Sequence, residues 1–106
     1  MSLDIRIIER KPIICPKCCE VAGYIYVRKV ESSGRVWYPI LEEFGYYKAG
    51  DMLPSWYGKN MTLTANQADR LNRFAVKNDP YNKSEILELI TSAICDGNDV
   101  IINADW

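Results

Sequence analysis

From Asp4 to Arg10 the chain alternates, with Ile5 and Ile7 on one side and Asp4 and Arg6 on the other. That period suits a half-buried strand. Ile8 departs from it, so the second face is expected to be partly covered as well. Pro12 has no N–H to donate and is expected to end the pairing. The stretch Tyr24-Ile25-Tyr26-Val27-Arg28-Lys29-Val30 is the clearest strand, because aromatic and β-branched residues dominate it. Glu31 to Gly34 reads as a turn. Arg35-Val36-Trp37-Tyr38 reads as the returning arm of a hairpin, closed by Pro39. The segment 40–58 reads as an ordered loop, with Leu41 to Phe44 a single helical turn ended by Gly45.

The pattern then changes to a helical period. Thr64 and Gln67 fit a capping box, and Leu63 can staple onto Ala68. Ala68, Leu71, Phe74 and Ala75 follow as an apolar stripe. This helix should fade near Lys77, since the residue before Pro80 is pushed out of the helical region. A second helix starts at Asn82 or Ser84, both good caps. Its apolar face comprises Ile86, Leu87, Ile90, Ala93 and Ile94, widened by Leu89. Gly97 sits where a left-handed residue ends a helix. Asp99 to Ala104 forms a terminal strand whose apolar run implies burial on both faces, near the middle of the sheet. The expected fold is therefore α+β: a small sheet of about four strands with two α-helices packed on one face. Residues 1–106 are read as a single domain.

Composition narrows the function classes. The chain has 106 residues, 48% of them apolar, with 13 basic and 14 acidic side chains and a net charge of −1. A nucleic-acid binder normally carries a basic excess, so the expectation is no nucleic-acid partner. Tyr24, Tyr26 and Arg28 would share one face of their strand, as a base-stacking platform does, but the surrounding basic excess is missing. No apolar run approaches the roughly 20 residues needed to cross a bilayer, so no membrane partner is expected. The first residues do not read as a secretory signal. Four cysteines without such a signal point to a reducing, cytoplasmic setting, in which thiols stay free or bind metal.

Three of those cysteines, Cys15, Cys18 and Cys19, fall within Cys15-Pro16-Lys17-Cys18-Cys19. Two thiols on one tight turn can grip a metal or cycle as a disulfide. The motif resembles half of a zinc ribbon or rubredoxin-type site, in which two such turns supply four thiolates to one metal. The resemblance implies zinc as the only candidate cofactor. It departs at Cys19, where those turns usually carry glycine, and no second pair is present. The remaining ligands would have to be Cys19, Cys95 or residues of another subunit. At about 100° per residue, Cys95 projects nearly opposite the Ile86/Ile90/Ala93 stripe, beside Glu88 and Thr91. The same motif also looks like that of glutaredoxin-type thiol oxidoreductases, whose first cysteine sits at a helix N-terminus. Buried structural thiols without any metal are the plain alternative.

Aromatic residues concentrate between Trp37 and Tyr57. Trp37 and Phe44 are expected to roof the sheet. Tyr46, Tyr47, Trp56 and Tyr57 are expected to stay partly exposed and, with the terminal Trp106, to form a partner-binding surface. The chain has no histidine, no Gly-rich phosphate loop and no carboxylate pair placed to flank one bond. The reading is thus a non-catalytic interaction or accessory module that binds a protein partner or forms a homo-oligomer. A structural zinc module and a thiol–disulfide oxidoreductase are the alternatives.

Overall fold

The computed structural model describes residues 3–48 and 56–106. Its strands are β1 (Asp4–Ile14), β2 (Val21–Ser33), β3 (Met61–Leu63) and β4 (Asp99–Asp105). Its helices are α1 (Tyr38–Glu43), α2 (Ala65–Asn78) and α3 (Lys83–Asp96), with a 3-10 turn at Arg35–Trp37. The strands form one antiparallel sheet in the order β2-β1-β4-β3. The fold is α+β, as the patterning predicts. No helix among the described residues is long and apolar enough to cross a membrane.

The core lies between one sheet face and the helices. Leu3, Ile5 and Ile7 of the β1 segment meet Val100, Ile102 and Ala104 of β4 and the inward residues of α2 and α3. Ile8 and Ile101 are register partners on the opposite face, and both are buried. Arg6 and Arg10 flank them on that face. Arg10 bonds the Asp99 carboxylate at 3.3 Å and lies 3.7 Å from the centre of the Tyr24 ring. Long cationic stems of this kind cover apolar surface, and the Arg10 side chain is itself mostly buried, 14% exposed.

The helix ends match their signals. Thr64 Oγ1 accepts the Gln67 N–H at 3.2 Å, and Gln67 Oε1 accepts the Thr64 N–H at 2.9 Å. Gly97 ends α3 with φ 69°, a conformation that costs glycine nothing. The α3 stripe is narrower than expected. Ile86, Leu89, Ile90 and Ala93 are buried, whereas Leu87 and Ile94 are exposed. Leu87 and Ile94 lie about 100° around the helix from the buried line, which Leu89 pulls to the other side.

The segment Arg35–Tyr38 is not the returning hairpin arm. Gly34 turns the chain at φ 122°, and Trp37 drops into the core, its Nε1 donating to Ser32 Oγ at 3.1 Å. Ser32 donates in turn to Asp79 at 2.6 Å. Pro39 then opens α1, where its missing N–H is no loss. Burial of Trp37, Ile40 and Leu41 thus overrides the strand propensity of Val36, Trp37 and Tyr38. The true partner of β2 is β1.

Tyr46 ties the C-terminal strand to the loop before β3. Its hydroxyl accepts the Ala104 N–H at 2.8 Å and donates to the Lys59 carbonyl at 2.6 Å. Burial pushes the Tyr46 phenol pKa up, and the hydrogen bonds to Ala104 and Lys59 only partly oppose it. The neutral phenol is therefore the folded form. Above about pH 10 the unfolded chain ionises first, so stability falls as pH rises. Tyr46→Phe should cost about 1–2 kcal/mol in urea denaturation at neutral pH. It should also weaken the loss of stability above about pH 10. An unchanged midpoint and an unchanged alkaline slope would contradict this role.

Candidate functional site

The longest feature of the molecule is the β1–β2 hairpin. β1 pairs with β4 only from Asp4 to Arg10, the latter opposite Asp99. Its pairing with β2 continues to Ile14 opposite Val21. The strands therefore leave the sheet as a two-stranded arm with the cysteine turn at its tip. This explains why Pro12 does not end β1. Beyond Arg10 one edge of β1 is free, and proline is accommodated on such an edge. The arm stretches the molecule to 46 Å, with a radius of gyration of 14.3 Å, against about 13 Å for a compact chain of similar length.

Two irregularities shape β2. The register jumps from Glu9↔Arg28 to Arg10↔Tyr26, so Val27 is an extra residue. A second jump, from Ile13↔Gly23 to Ile14↔Val21, leaves Ala22 extra. Each bulge resets the alternation. Tyr24 and Tyr26 consequently share the open face of the sheet with Arg10, while Arg28 turns to the helix face. The expected sharing of one face by Tyr24, Tyr26 and Arg28 is thereby corrected.

Arg28 turns inward to meet Glu9, which is fully buried. The Arg28 Nε lies 3.4 Å from Glu9 Oε1, a charge contact rather than an aligned hydrogen bond. Glu9 Oε2 accepts Asn98 Nδ2 at 2.7 Å and Ser92 Oγ at 3.2 Å. This carboxylate joins β1, β2 and the C-terminal end of α3 at the root of the arm. Nothing in the alternation of β1 marks it, because Glu9 simply continues the inward phase of Ile5 and Ile7.

Beyond that root the arm carries apolar side chains that nothing among the described residues covers fully. Ile13, Ile14, Val21, Tyr24, Ile25 and Val27 are 43–52% exposed and Tyr26 is 62% exposed. They lie along a hairpin whose outer strand, β2, is the sheet's edge. An open groove of about 350 Å³ lies at the arm's root, lined by Arg6, Ile8, Tyr26, Lys29 and Asn103. Its cations are engaged, Arg6 with Asp105 at 3.0 Å and Lys29 with Glu31 at 3.0 Å.

At the tip, Cys15 N–H donates to the Glu20 carbonyl at 2.8 Å, and Cys19 N–H donates to the Cys15 carbonyl at 2.9 Å. Inside this closed turn the Cys15 sulfur receives the backbone N–H groups of Cys18 and Lys17, and the Cys18 thiol. Those donors, the Cys18 N–H foremost, hold the Cys15 pKa below that of an ordinary thiol. Cys19 has φ 58°, the one positive φ outside glycine among the described residues. It thus fills the left-handed position where glycine was expected. Cys18 and Cys19 are exposed and Cys15 is half-buried. The turn leads straight into β2, so Cys15 does not sit at a helix N-terminus as in glutaredoxin-type enzymes.

Cys95 is exposed on α3. Among the described residues, no three Cys, Asp or Glu side chains converge on a possible metal position. No such group therefore joins Cys19 or Cys95 to Cys15 and Cys18 among the described residues.

The aromatic residues gather at the opposite end of the sheet. The ring of Trp106 lies 4.9 Å from that of Tyr57, 5.1 Å from Tyr47 and 6.2 Å from Tyr46. Tyr46 also stacks on Trp56 at 6.0 Å. Tyr46 is buried, against the expectation of partial exposure, because its hydroxyl finds backbone partners inside. Tyr47, Trp56 and Trp106 are partly buried against the core, and Tyr57 remains exposed. These aromatics largely satisfy one another.

No protein family, curated protein or solved structure matches the chain.

The root of the arm should be sensitive to its buried carboxylate. Glu9→Ala leaves Ser92 and Asn98 unsatisfied and Arg28 without its counter-charge. It should cost roughly 2–3 kcal/mol in urea denaturation. Hydrogen exchange should show the arm amides loosening first. A loss below about 0.5 kcal/mol would contradict the role assigned to Glu9.

Proposed function

We propose that the chain is a non-catalytic interaction module that binds a second copy of itself through the β1–β2 arm. The observation that carries this reading is the row of half-exposed apolar side chains on an edge strand with no neighbouring strand among the described residues. An edge of this kind is a template for another strand. Main-chain hydrogen bonds then give affinity, and the alternate side chains give register.

Self-pairing suits the arm for two reasons. An antiparallel β2–β2 contact maps onto itself by rotation about a two-fold axis, the commonest symmetry of small assemblies. The arm also offers apolar surface against apolar surface, with no row of like charges along β2 to oppose the pairing. The aromatic end is a weaker contact surface than its composition implies, since Tyr46 is used inside and Trp106 is packed by its neighbours.

Light scattering should give the mass of two chains at tens of micromolar protein. Ile14→Lys combined with Ile25→Lys should return the mass of one chain with unchanged circular dichroism. Tyr57→Ala should leave the two-chain mass intact. A one-chain mass for the unaltered protein across that range would overturn the proposal, as would loss of the dimer in Tyr57→Ala but not in the arm variant.

A further inference from the structure

Pro12 decides where the main chain of β2 points. Directly opposed residues of an antiparallel pair either exchange both N–H···O bonds or neither, and the two kinds alternate. Pro12 has no N–H, so its pair with Tyr24 is of the second kind. The run Arg10↔Tyr26, Lys11↔Ile25, Pro12↔Tyr24 is regular, so Arg10↔Tyr26 is of the second kind too. Tyr24 and Tyr26 therefore turn their N–H and C=O groups away from β1 and onto the free edge, while Ile25 bonds inward. The side chains of the two tyrosines stand on the open face, and that of Ile25 on the helix face. The extra residues Ala22 and Val27 bracket this run. A bulge leaves its residue unpaired and twists the strand, so the flat edge offered to another strand is confined to Gly23–Tyr26.

Few two-fold registers fit such an edge. The axis stands perpendicular to the shared sheet, so opposed residues must come from the same face. An axis falling between two residues of the run would oppose tyrosine to isoleucine, from opposite faces, and is excluded. An axis on Tyr24 would bring Tyr26 against the Ala22 bulge of the second copy. An axis on Tyr26 would bring Tyr24 against Arg28, across the Val27 bulge. An axis on Ile25 opposes Tyr24 of each copy to Tyr26 of the other, and every outward N–H and C=O of both tyrosines is then bonded. We propose that Tyr24 and Tyr26 set the specificity of self-association: two β2 edges meet in one register, centred on Ile25, with Tyr24 of each copy against Tyr26 of the other.

The side chains agree with this register. On the open face it makes aromatic cross-strand pairs, which are favourable. Arg10, 3.7 Å from the centre of the Tyr24 ring, steadies that ring from the β1 side. On the helix face Ile25 meets its own copy at the close spacing of about 4.5 Å between Cα atoms. Arg28 and Lys29 face the far end of the second arm, where Glu20 lies, rather than their own copies.

This inference deepens the reading of the arm as a self-association surface and rests on it. The test is cross-linking in a chain whose Cys15, Cys18, Cys19 and Cys95 are replaced by serine, its fold checked by circular dichroism. Under the thiol oxidant diamide, Ile25→Cys should give a covalent two-chain product. Tyr24→Cys and Tyr26→Cys should each give none alone, because each residue and its own copy are diagonal neighbours about 7–8 Å apart, beyond disulfide reach. Mixed together, those two variants should cross-link. In the unaltered cysteine background, Tyr24→Lys with Tyr26→Glu opposes unlike charges and should keep the two-chain mass. Tyr24→Lys with Tyr26→Lys opposes like charges and should weaken association at least about tenfold.

A covalent product from Tyr24→Cys alone or Tyr26→Cys alone would overturn the register and leave the arm interface standing. Equal masses for the two charge variants would do the same. A two-chain mass with no product at any of these positions would also overturn the register, and the mass of Ile14→Lys/Ile25→Lys then decides whether the arm reading survives. A one-chain mass for the unaltered protein would overturn both proposals.

Discussion

β1 is bound on both sides only as far as Arg10, and everything distinctive about the molecule follows from that limit. β4 starts at Asp99, directly after the glycine turn that ends α3. It therefore has no residues left to accompany β1 further. β2 does, and continues to Val21. The difference in strand length becomes an arm with its own surface, held to the body by one pair of strands. A two-stranded hairpin is marginally stable alone in water. The arm accordingly depends on its root, where a buried Glu9 joins β2 and α3, and on whatever covers its apolar faces.

The inward phase of β1 shows how the sequence marks the boundary between body and arm. Leu3, Ile5 and Ile7 enter the core, and the next inward residue is a carboxylate. A buried charge is tolerated only with partners, and Asn98, Ser92 and Arg28 supply them from two other elements. The Val27 bulge is what lets Arg28 face inward while Tyr26 faces out. Past this point the same strands carry isoleucine and valine that are about half-exposed among the described residues. Hydrophobic residues in the arm are thus strand formers whose side chains stay half-exposed.

Much of the body was legible from periodicity. The capping box of Thr64 and Gln67, the glycine stop at Gly97 and the central terminal strand all follow from local rules that tertiary packing does not oppose. Local rules failed where long-range packing decides. Val36, Trp37 and Tyr38 have strand propensity, but the Trp37 pocket and the hydrogen bond to Ser32 make this stretch helical. The bulges at Val27 and Ala22 have no signature in an unbroken β-rich run, so the turning of Arg28 away from the face that Tyr24 and Tyr26 share was not readable. Strand β3 is three residues long and pairs only with β4, too short to show a period.

The cysteine site was readable in part for the same reason. Spacing placed Cys15 and Cys18 on one turn, which is local information. Whether Cys19 or Cys95 joins them depends on distances across the fold. Exposure of Cys95 on α3 followed from helical geometry. The aromatic segment misled in the opposite direction, since composition cannot show that Tyr46 finds three backbone partners at Lys59 and Ala104.

Amide hydrogen exchange of the 106-residue chain at low and high protein concentration tests the central claim most directly. If the arm is the contact surface, amides of Val21 to Val27 on the outer edge of β2 gain protection as concentration rises, while those of β3 do not. Protection gained at β3 or around Trp106, with the β2 edge exchanging freely at every concentration, would contradict the account.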